Sequence, residues 1–267
     1  MPISKISIHI GPTDAFDPQD ERFSQYAAKF ADFAGARGYD TRLISGHAAT
    51  WSAVLAAVEA AAADLAPDGE CLLTYCGHGL RQIDGCSVDD TQAWMLRDRM
   101  PTEMVFRHVL MSKFQATHRV VVVNDSCYSG NWANLQRIGS ILRRLSEKAG
   151  HDFATDKKLQ DELAQILVDH FYGASIASIR RVLEAEVFDF CAEGGPPSCR
   201  LMVLAASRAG ATAIKARFSA VLLDLMQSKP APTSYQGLIA AARTKLDGVQ
   251  DPELNSDFIE MGDLRPF

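Results

Sequence analysis

Apolar positions along the chain form short runs whose pattern is typical of buried β-strands. Ile3 to Ile10 alternates apolar and polar residues, which predicts a first strand. Cys71 to Cys76 and Arg119 to Asn124 are apolar on both faces, as in parallel strands that are covered from both sides. The remaining predicted strands are Tyr39 to Ile44, Leu201 to Ala206 and a short one near Phe258.

Between these strands, apolar residues recur at helical spacing. The predicted helices run from about Phe23 to near Gly38, from Thr50 to about Leu65, from Thr102 to Phe114, from Arg217 to Met226 and from Ser234 to Leu246. From Asn131 to Gly194 the pattern is helical without a strand, which predicts a helical insertion between strands four and five. Strands that alternate with helices favour an α/β fold, with a mostly parallel six-stranded sheet sandwiched by helices.

Size and composition limit the classes of protein that remain. The chain has 267 residues, 47% of them hydrophobic, which is enough for one sizeable core. A net charge of -6 without a basic block gives no indication of nucleic-acid or membrane partners. The sequence has no apolar run of about 18 residues and no secretory leader pattern, so we expect a cytoplasmic protein with reduced thiols.

Two loops with reactive side chains follow the third and fourth predicted strands. They read Tyr-Cys-Gly-His-Gly at 75–79 and Asn-Asp-Ser-Cys-Tyr-Ser-Gly at 124–130. A crossover helix between the two strands would make them neighbours, and sites in such sheets lie outside the carboxyl ends of the strands. We therefore expect His78 and Cys127 to share one site.

Cysteine and histidine side by side can carry out nucleophilic catalysis. A cysteine attacks a carbonyl as its thiolate, which a nearby imidazole makes available near neutral pH. Backbone N–H groups stabilise the resulting oxyanion, and those of Gly79 and Cys127 are the candidates. The alternative is an inert buried cysteine and an ordinary loop histidine. Their joint occurrence beside glycines makes catalysis a serious hypothesis.

The two loops also resemble the motifs of a known peptidase family. The sequence at 75–79 is similar to the Tyr-Ser-Gly-His-Gly box of metacaspases and bacterial caspase-like peptidases. Asp-Ser-Cys-Tyr-Ser-Gly at 125–130 resembles their Asp-Ser-Cys-His-Ser-Gly box. Weaker similarity occurs at 91–98, 204–213 and 250–254, and none from about 135 to 199.

The resemblance implies a caspase-hemoglobinase fold and a cysteine endopeptidase that acts on proteins or peptides. Cys127 would be the nucleophile, His78 would protonate the leaving amine, and the N–H groups of Gly79 and Cys127 would form the oxyanion hole. Backbone near Ala206 and Ser207 would hold the substrate as an extended strand. The chain would have one domain, divided into a large-subunit-like part (1–133), a helical linker (134–199) and a small-subunit-like part (200–267). It would be a monomer, as metacaspases are, and a caspase-like dimer formed through the exposed edge of the last strand is the alternative.

Asp125 predicts the specificity of such a peptidase. It lies two residues before Cys127 and so on the same side of the strand. A carboxylate at the base of the first substrate pocket favours Arg, then Lys, and the metacaspase branch uses this aspartate in that way. The alternative is a structural carboxylate that binds loop backbone.

The pocket departs from the family pattern at two positions. Tyr26 stands where metacaspases usually have a second pocket acid. The sequence does not decide which of three other acids replaces it: Asp14, Asp17 or Asp20. Cys76 stands in the place of the box serine. We expect it to line the pocket, and a Cys76–Cys127 disulfide that acts as a redox lock is the alternative.

Metal requirements follow from the loop after the histidine box. No C-x-x-C pair is present, so no structural zinc is expected, and no cofactor is expected to be required. The family's acidic loop is shortened to Asp84, Asp89 and Asp90. These residues leave open a solvated loop, pocket acids or a weak site for calcium as an activator.

Three basic pairs lie in the predicted helical insertion. They are Arg143-Arg144, Lys157-Lys158 and Arg180-Arg181. Each is either a solvated helix face or an activation cut, made by the enzyme itself or by an upstream protease. In the second case, the 135–195 segment would hold the enzyme as a zymogen until it is cleaved or rearranged.

The leading hypothesis is therefore an Arg-directed cysteine endopeptidase of a bacterial signalling, defence or cell-death pathway, where the pathway rests on the resemblance alone. The second hypothesis is a catalytically weak caspase-like scaffold that binds a partner. A flavodoxin-like ligand-binding domain ranks last, because the sequence lacks a glycine-rich phosphate loop.

Overall fold

The fold is that of a computed structural model, which describes residues 2–82, 91–101, 106–127, 129, 199–208, 211–256 and 259–267. The acidic residues Asp84, Asp89 and Asp90, the predicted helical insertion and its basic pairs lie outside the described residues. No helix among the residues described is long and apolar enough to cross a membrane.

Eight strands and four α-helices make up the described part of the chain. The strands are β1 Ile3–Pro12, β2 Asp40–Gly46, β3 Leu65–Cys76, β4 Gly79–Gln82, β5 Thr91–Trp94, β6 Arg119–Asp125, β7 Arg200–Ala205 and β8 Glu253–Ser256. The α-helices are α1 Arg22–Gly35, α2 Trp51–Asp64, α3 Arg217–Gln227 and α4 Tyr235–Lys245. A π-helical turn at Phe106–Leu110 and 3-10 turns at Met111–Lys113 and Ile259–Asp263 complete the set.

Six of the strands form one sheet in the order β2-β1-β3-β6-β7-β8. Every pairing is parallel except that of β8 with β7. This arrangement confirms the α/β class and the mostly parallel six-stranded sheet. It also makes β3 and β6 neighbours, with Cys76 opposite Asp125, so the loops that follow them leave the same edge of the sheet side by side.

The sheet is buried on both faces. Val120 and Val122 of β6 belong to one apolar cluster, which α2 and the turns after Phe106 cover. Val121 and Val123 point into a second cluster, formed with α1, α3 and α4. Each buried valine stabilises the fold by roughly 1.5–3 kcal/mol. The strand that leads to Cys127 is therefore held from both sides.

Three sequence expectations differ from the observed elements. The helix expected over Thr102–Phe114 is a π turn followed by a 3-10 turn in its described part, because apolar spacing sets a buried face and not the hydrogen-bond pattern. The last described strand is β8, at Glu253–Ser256, and Phe258, near which a strand was expected, lies outside the described residues. The β4–β5 hairpin was not predicted. Each of its strands has four residues, which is too short for an alternating pattern of apolar and polar residues to be recognised.

Candidate active site

The loops after β3 and β6 are in direct contact. The Gly77 N–H donates to the carbonyl oxygen of Asp125 over 3.2 Å. A Cβ at Gly79 would lie 2.1 Å from the carbonyl oxygen of Cys127 and 3.0 Å from the Cβ of Ser126. Glycine therefore permits this approach, and the structure brings His78, Gly79 and Cys127 together at one edge of the sheet.

The His78 ring is fixed on several sides. Its Nε2 lies 2.9 Å from Oδ1 of Asp14, and its ring meets Phe16 and Phe23 edge-on, with centroids 4.8 and 5.0 Å away. Its backbone carbonyl accepts a hydrogen bond from the Tyr75 hydroxyl over 2.9 Å. The side chain keeps 23% exposure, so an approaching substrate could still reach it.

Asp14 lies in the loop after β1 and is buried. Its Oδ1 accepts the backbone N–H groups of Phe16 and Asp17 over 2.8 and 3.2 Å, and its Oδ2 pairs with Lys215. Burial opposes ionisation, but the hydrogen bonds from Lys215 and His78 outweigh it and lower the pKa of Asp14 to about 2. Asp14 is therefore a carboxylate at neutral pH.

Lys215 joins two of the three acids that the sequence left open. Its Nζ pairs with Asp14 and lies 2.8 Å from Oδ2 of Asp20. Hydrogen bonds from Arg22 and Lys215 hold the pKa of the Asp20 carboxyl below its usual range. Asp17 is exposed. The sequence analysis did not identify Lys215. The sequence feature that could have pointed to it is that Lys215 is the one charged residue between Arg208 and Arg217.

The sulfur of Cys127, a partly buried residue, contacts the backbone of Ala213 in the segment 211–216. It accepts the N–H of Ala213 over 3.3 Å and lies 3.4 Å from the carbonyl oxygen of that residue. Gln250 holds this segment through Ile214, whose N–H lies 3.2 Å from Oε1. Sequence reasoning did not single out Ala213 or Gln250 as site residues. The signal for Gln250 was its place in the 250–254 segment.

Ala206 and Ser207 lie beside the site, and three of their backbone groups bond to other parts of the chain. The N–H of Ala206 donates to Asn124 and its carbonyl accepts from Gln250, over 2.9 and 2.8 Å. The N–H of Ser207 donates to the Ser129 hydroxyl over 3.1 Å. A substrate strand could use these three groups only after the bonds that they make within the chain had broken.

Asp125 is buried below the loops. Its Oδ2 accepts the N–H of Ser219 over 2.7 Å, in the first turn of α3, where an anion is stabilised by unpaired N–H groups and the helix dipole. Within the described ranges, Oδ1 has no hydrogen-bond partner. Burial raises the pKa of Asp125 to about 6.

Cys76 lies next to Asp125, with its sulfur 4.0 Å from Oδ2. It packs with Phe23 and Ala216 in a small apolar cluster, and Tyr26 contacts the same cluster. Cys76 and Cys127 are both free thiols, so no disulfide joins them in this structure.

The segment between the two motifs braces both strands. Trp94 stacks on Tyr75 with ring centroids 4.3 Å apart. Its Nε1 donates to Oδ1 of Asn124 over 3.1 Å, and the Ser126 hydroxyl donates to the same oxygen over 2.8 Å. These bonds tie the ends of β3 and β6 to the β4–β5 hairpin. Among the residues described, no group of three or more His, Cys, Asp or Glu could hold a metal ion.

Comparison with known proteins supports the fold and goes no further. No protein-family model matches the chain, and no curated protein matches it. The crystal structure of protein GSU0716 from Geobacter sulfurreducens, a structural-genomics target, is similar over 99% of this chain and 98% of that one, with a TM-score of 0.61 and 19% identity. At this identity the likeness shows a similar fold and nothing about function.

Proposed function

We propose that the chain is a caspase-like cysteine endopeptidase with a caspase-hemoglobinase fold, which cuts after Arg and, less well, after Lys. The observation that carries the proposal is the contact between the two loops. Gly79 lies against the carbonyl of Cys127, so the loops that carry a histidine and a cysteine meet at the carboxyl ends of adjacent parallel strands. Sites of α/β sheets occur at such ends.

The proposed reaction requires only these residues, the substrate and water. The Cys127 thiol gives its proton to His78, and the thiolate adds to the substrate carbonyl while the N–H groups of Gly79 and Cys127 bind the oxyanion. The imidazolium then protonates the leaving amine as the C–N bond breaks, which leaves a thioester. Water gives a proton to His78 as it adds to the thioester. The acid product leaves, and that proton returns to the Cys127 sulfur.

The preference for Arg rests on Asp125. A guanidinium that reached its Oδ1 would pair with an acceptor that lacks a partner in the described part of the chain. The pair would also offset the cost of burying this carboxylate. Phe23 and Cys76 pack together nearby, so the pocket has to open for an Arg side chain to enter.

A second candidate, the catalytically weak scaffold, is favoured by one observation. The Cys127 sulfur is bonded to the backbone of Ala213, and these contacts have to break before the sulfur can attack a substrate. A zymogen would keep the same contacts before a cut at one of the basic pairs. The two candidates therefore differ in whether the segment 211–216 moves aside after activation.

Two matched fluorogenic tetrapeptides, ending in Arg and in Asp, test the proposal. We expect the wild type to cleave the Arg peptide and Cys127→Ala to lose all cleavage, because the nucleophile is absent. Assays with and without calcium test the activator. If neither peptide is cleaved, limited proteolysis within 135–195 followed by the same assay separates a zymogen, which gains activity, from a scaffold, which does not. Cleavage of the Asp peptide alone would contradict the role given to Asp125.

A further inference from the structure

Asp14 is bound to the imidazole of His78 although it lies in a different loop, which follows β1. The 2.9 Å contact between Asp14 Oδ1 and His78 Nε2 spans 64 positions of the chain, so local geometry does not require it. The Asp14 side chain is fully buried, whereas acids without a partner stay at the surface. The contact with His78 is therefore the feature that a role for this buried carboxylate has to explain.

We infer that Asp14 is the positioning residue of the catalytic pair: it holds the His78 ring with Nε2 protonated and Nδ1 facing the reaction. The inference rests on the proposed peptidase function. An ionised carboxylate only accepts hydrogen bonds, so the nitrogen next to it has to carry the proton. In the neutral ring the other nitrogen, Nδ1, is then the acceptor.

The assignment gives each proton of the reaction a place. Nδ1 takes the proton of the Cys127 thiol and later gives it to the leaving amine, while Nε2–H stays bonded to Asp14 throughout. The carboxylate stabilises the imidazolium that exists between these two steps, as orienting acids do in catalytic triads. No proton passes to Asp14.

Asp14 is itself held firmly enough to orient a ring. Two backbone N–H groups, those of Phe16 and Asp17, fix its Oδ1, and Lys215 holds its Oδ2. Phe16 and Phe23 then limit rotation of the imidazole, since both meet its ring edge-on. A positioning residue needs such support from its surroundings, because small displacements of reacting groups cost large factors in rate.

Kinetics of Asp14 variants are the first test. We expect Asp14→Ala to lower kcat by about 100-fold, within the range for acid–base groups, and to change KM by less than about threefold. Asp14→Asn keeps an acceptor oxygen for Nε2–H and should recover part of the loss. The control is Asp32→Asn, which changes an exposed acid of α1 outside the site and should retain wild-type kcat. Equal kcat in folded Asp14→Ala and wild type would overturn the inference.

Nitrogen NMR of isotope-labelled histidine gives a readout that needs no cleavage. The His78 signals are assigned by their loss in His78→Gln. We expect a protonated Nε2 and an unprotonated Nδ1 in the wild type, and averaging between the two tautomers in Asp14→Ala. An unchanged pattern in Asp14→Ala would overturn the inference even in an active enzyme. If the wild type cleaves no peptide, the proposed function fails, while the tautomer still shows whether Asp14 orients the ring.

Discussion

Gly79→Ala is expected to lower kcat/KM for the Arg peptide by about 100- to 1000-fold, the loss that follows removal of one oxyanion donor. The added Cβ would lie 2.1 Å from the carbonyl oxygen of Cys127 and 3.0 Å from Ser126. A backbone oxygen cannot turn away as a flexible side chain can, so the two loops have to separate. Separation moves the N–H groups of Gly79 and Cys127 apart from the position that the oxyanion would occupy.

The matched control for Gly79→Ala is Gly35→Ala, at the end of α1. Its new Cβ would find Thr41 at 3.7 Å, which is ordinary contact, and alanine favours helix. We expect this control to keep full activity and an unchanged or slightly higher melting temperature. Wild-type kcat/KM in Gly79→Ala would refute the close contact of the loops as a condition for activity.

Asp125→Asn is expected to have two large effects, one on specificity and one on stability. Asparagine keeps an acceptor for the Ser219 N–H and removes the negative charge. Losing one partner of a buried charge pair costs about 2–5 kcal/mol, so kcat/KM for the Arg peptide should fall at least about 30-fold. An unchanged Arg activity would favour the alternative role, in which Asp125 only stabilises the first turn of α3.

The effect of Asp125 on stability depends on pH with a definite sign. Burial raises its pKa from 3.8 to about 6 in the folded protein, so the folded state binds the proton more tightly than the unfolded state. The contribution of Asp125 to the free energy of unfolding is fully present below pH 3.8 and is lost as pH rises through about 6. The total loss is roughly 3 kcal/mol. The free energy of unfolding of Asp125→Asn minus that of wild type should therefore be larger at pH 8 than at pH 4.

Urea unfolding at pH 4 and pH 8 measures this effect. The control is Asp32→Asn, which removes an exposed carboxylate from α1 and should change the free energy of unfolding by less than about 0.5 kcal/mol. A pH dependence of Asp125→Asn that matches wild type would show that Asp125 does not titrate in this range. The Arg/Asp cleavage ratio of the same variant is read independently of stability.

The central sheet could be predicted because its strands are runs of apolar residues. Such runs become buried whatever the detailed contacts around them, since the hydrophobic effect does not depend on direction. The valines from Val120 to Val123 are apolar on both faces, and the structure divides them between two cores. The crossover that makes β3 and β6 neighbours then brings His78 and Cys127 together without any further information. For this reason the central residues of the candidate site could be named from the sequence.

The parts that escaped prediction depend on contacts between distant loops. Asp14 was one of three acids offered for the substrate pocket, yet its carboxylate binds His78. Ala213 reaches Cys127 across 86 positions and has no chemical signature of its own. A useful signal was overlooked at Asp14, since it follows the strand that pairs with β3 and hence lies near the histidine loop.

The two halves of the candidate site differ in how freely evolution or an engineer could alter them. His78 and Cys127 follow strands that are buried between two cores, whereas Ala213, which contacts the sulfur, lies outside the strands and helices in the segment 211–216. Loops on a rigid scaffold tolerate replacement. Replacing this segment would change which substrates bind and leave the positions of His78 and Cys127 unchanged. The fold therefore allows substrate specificity to change separately from the reaction.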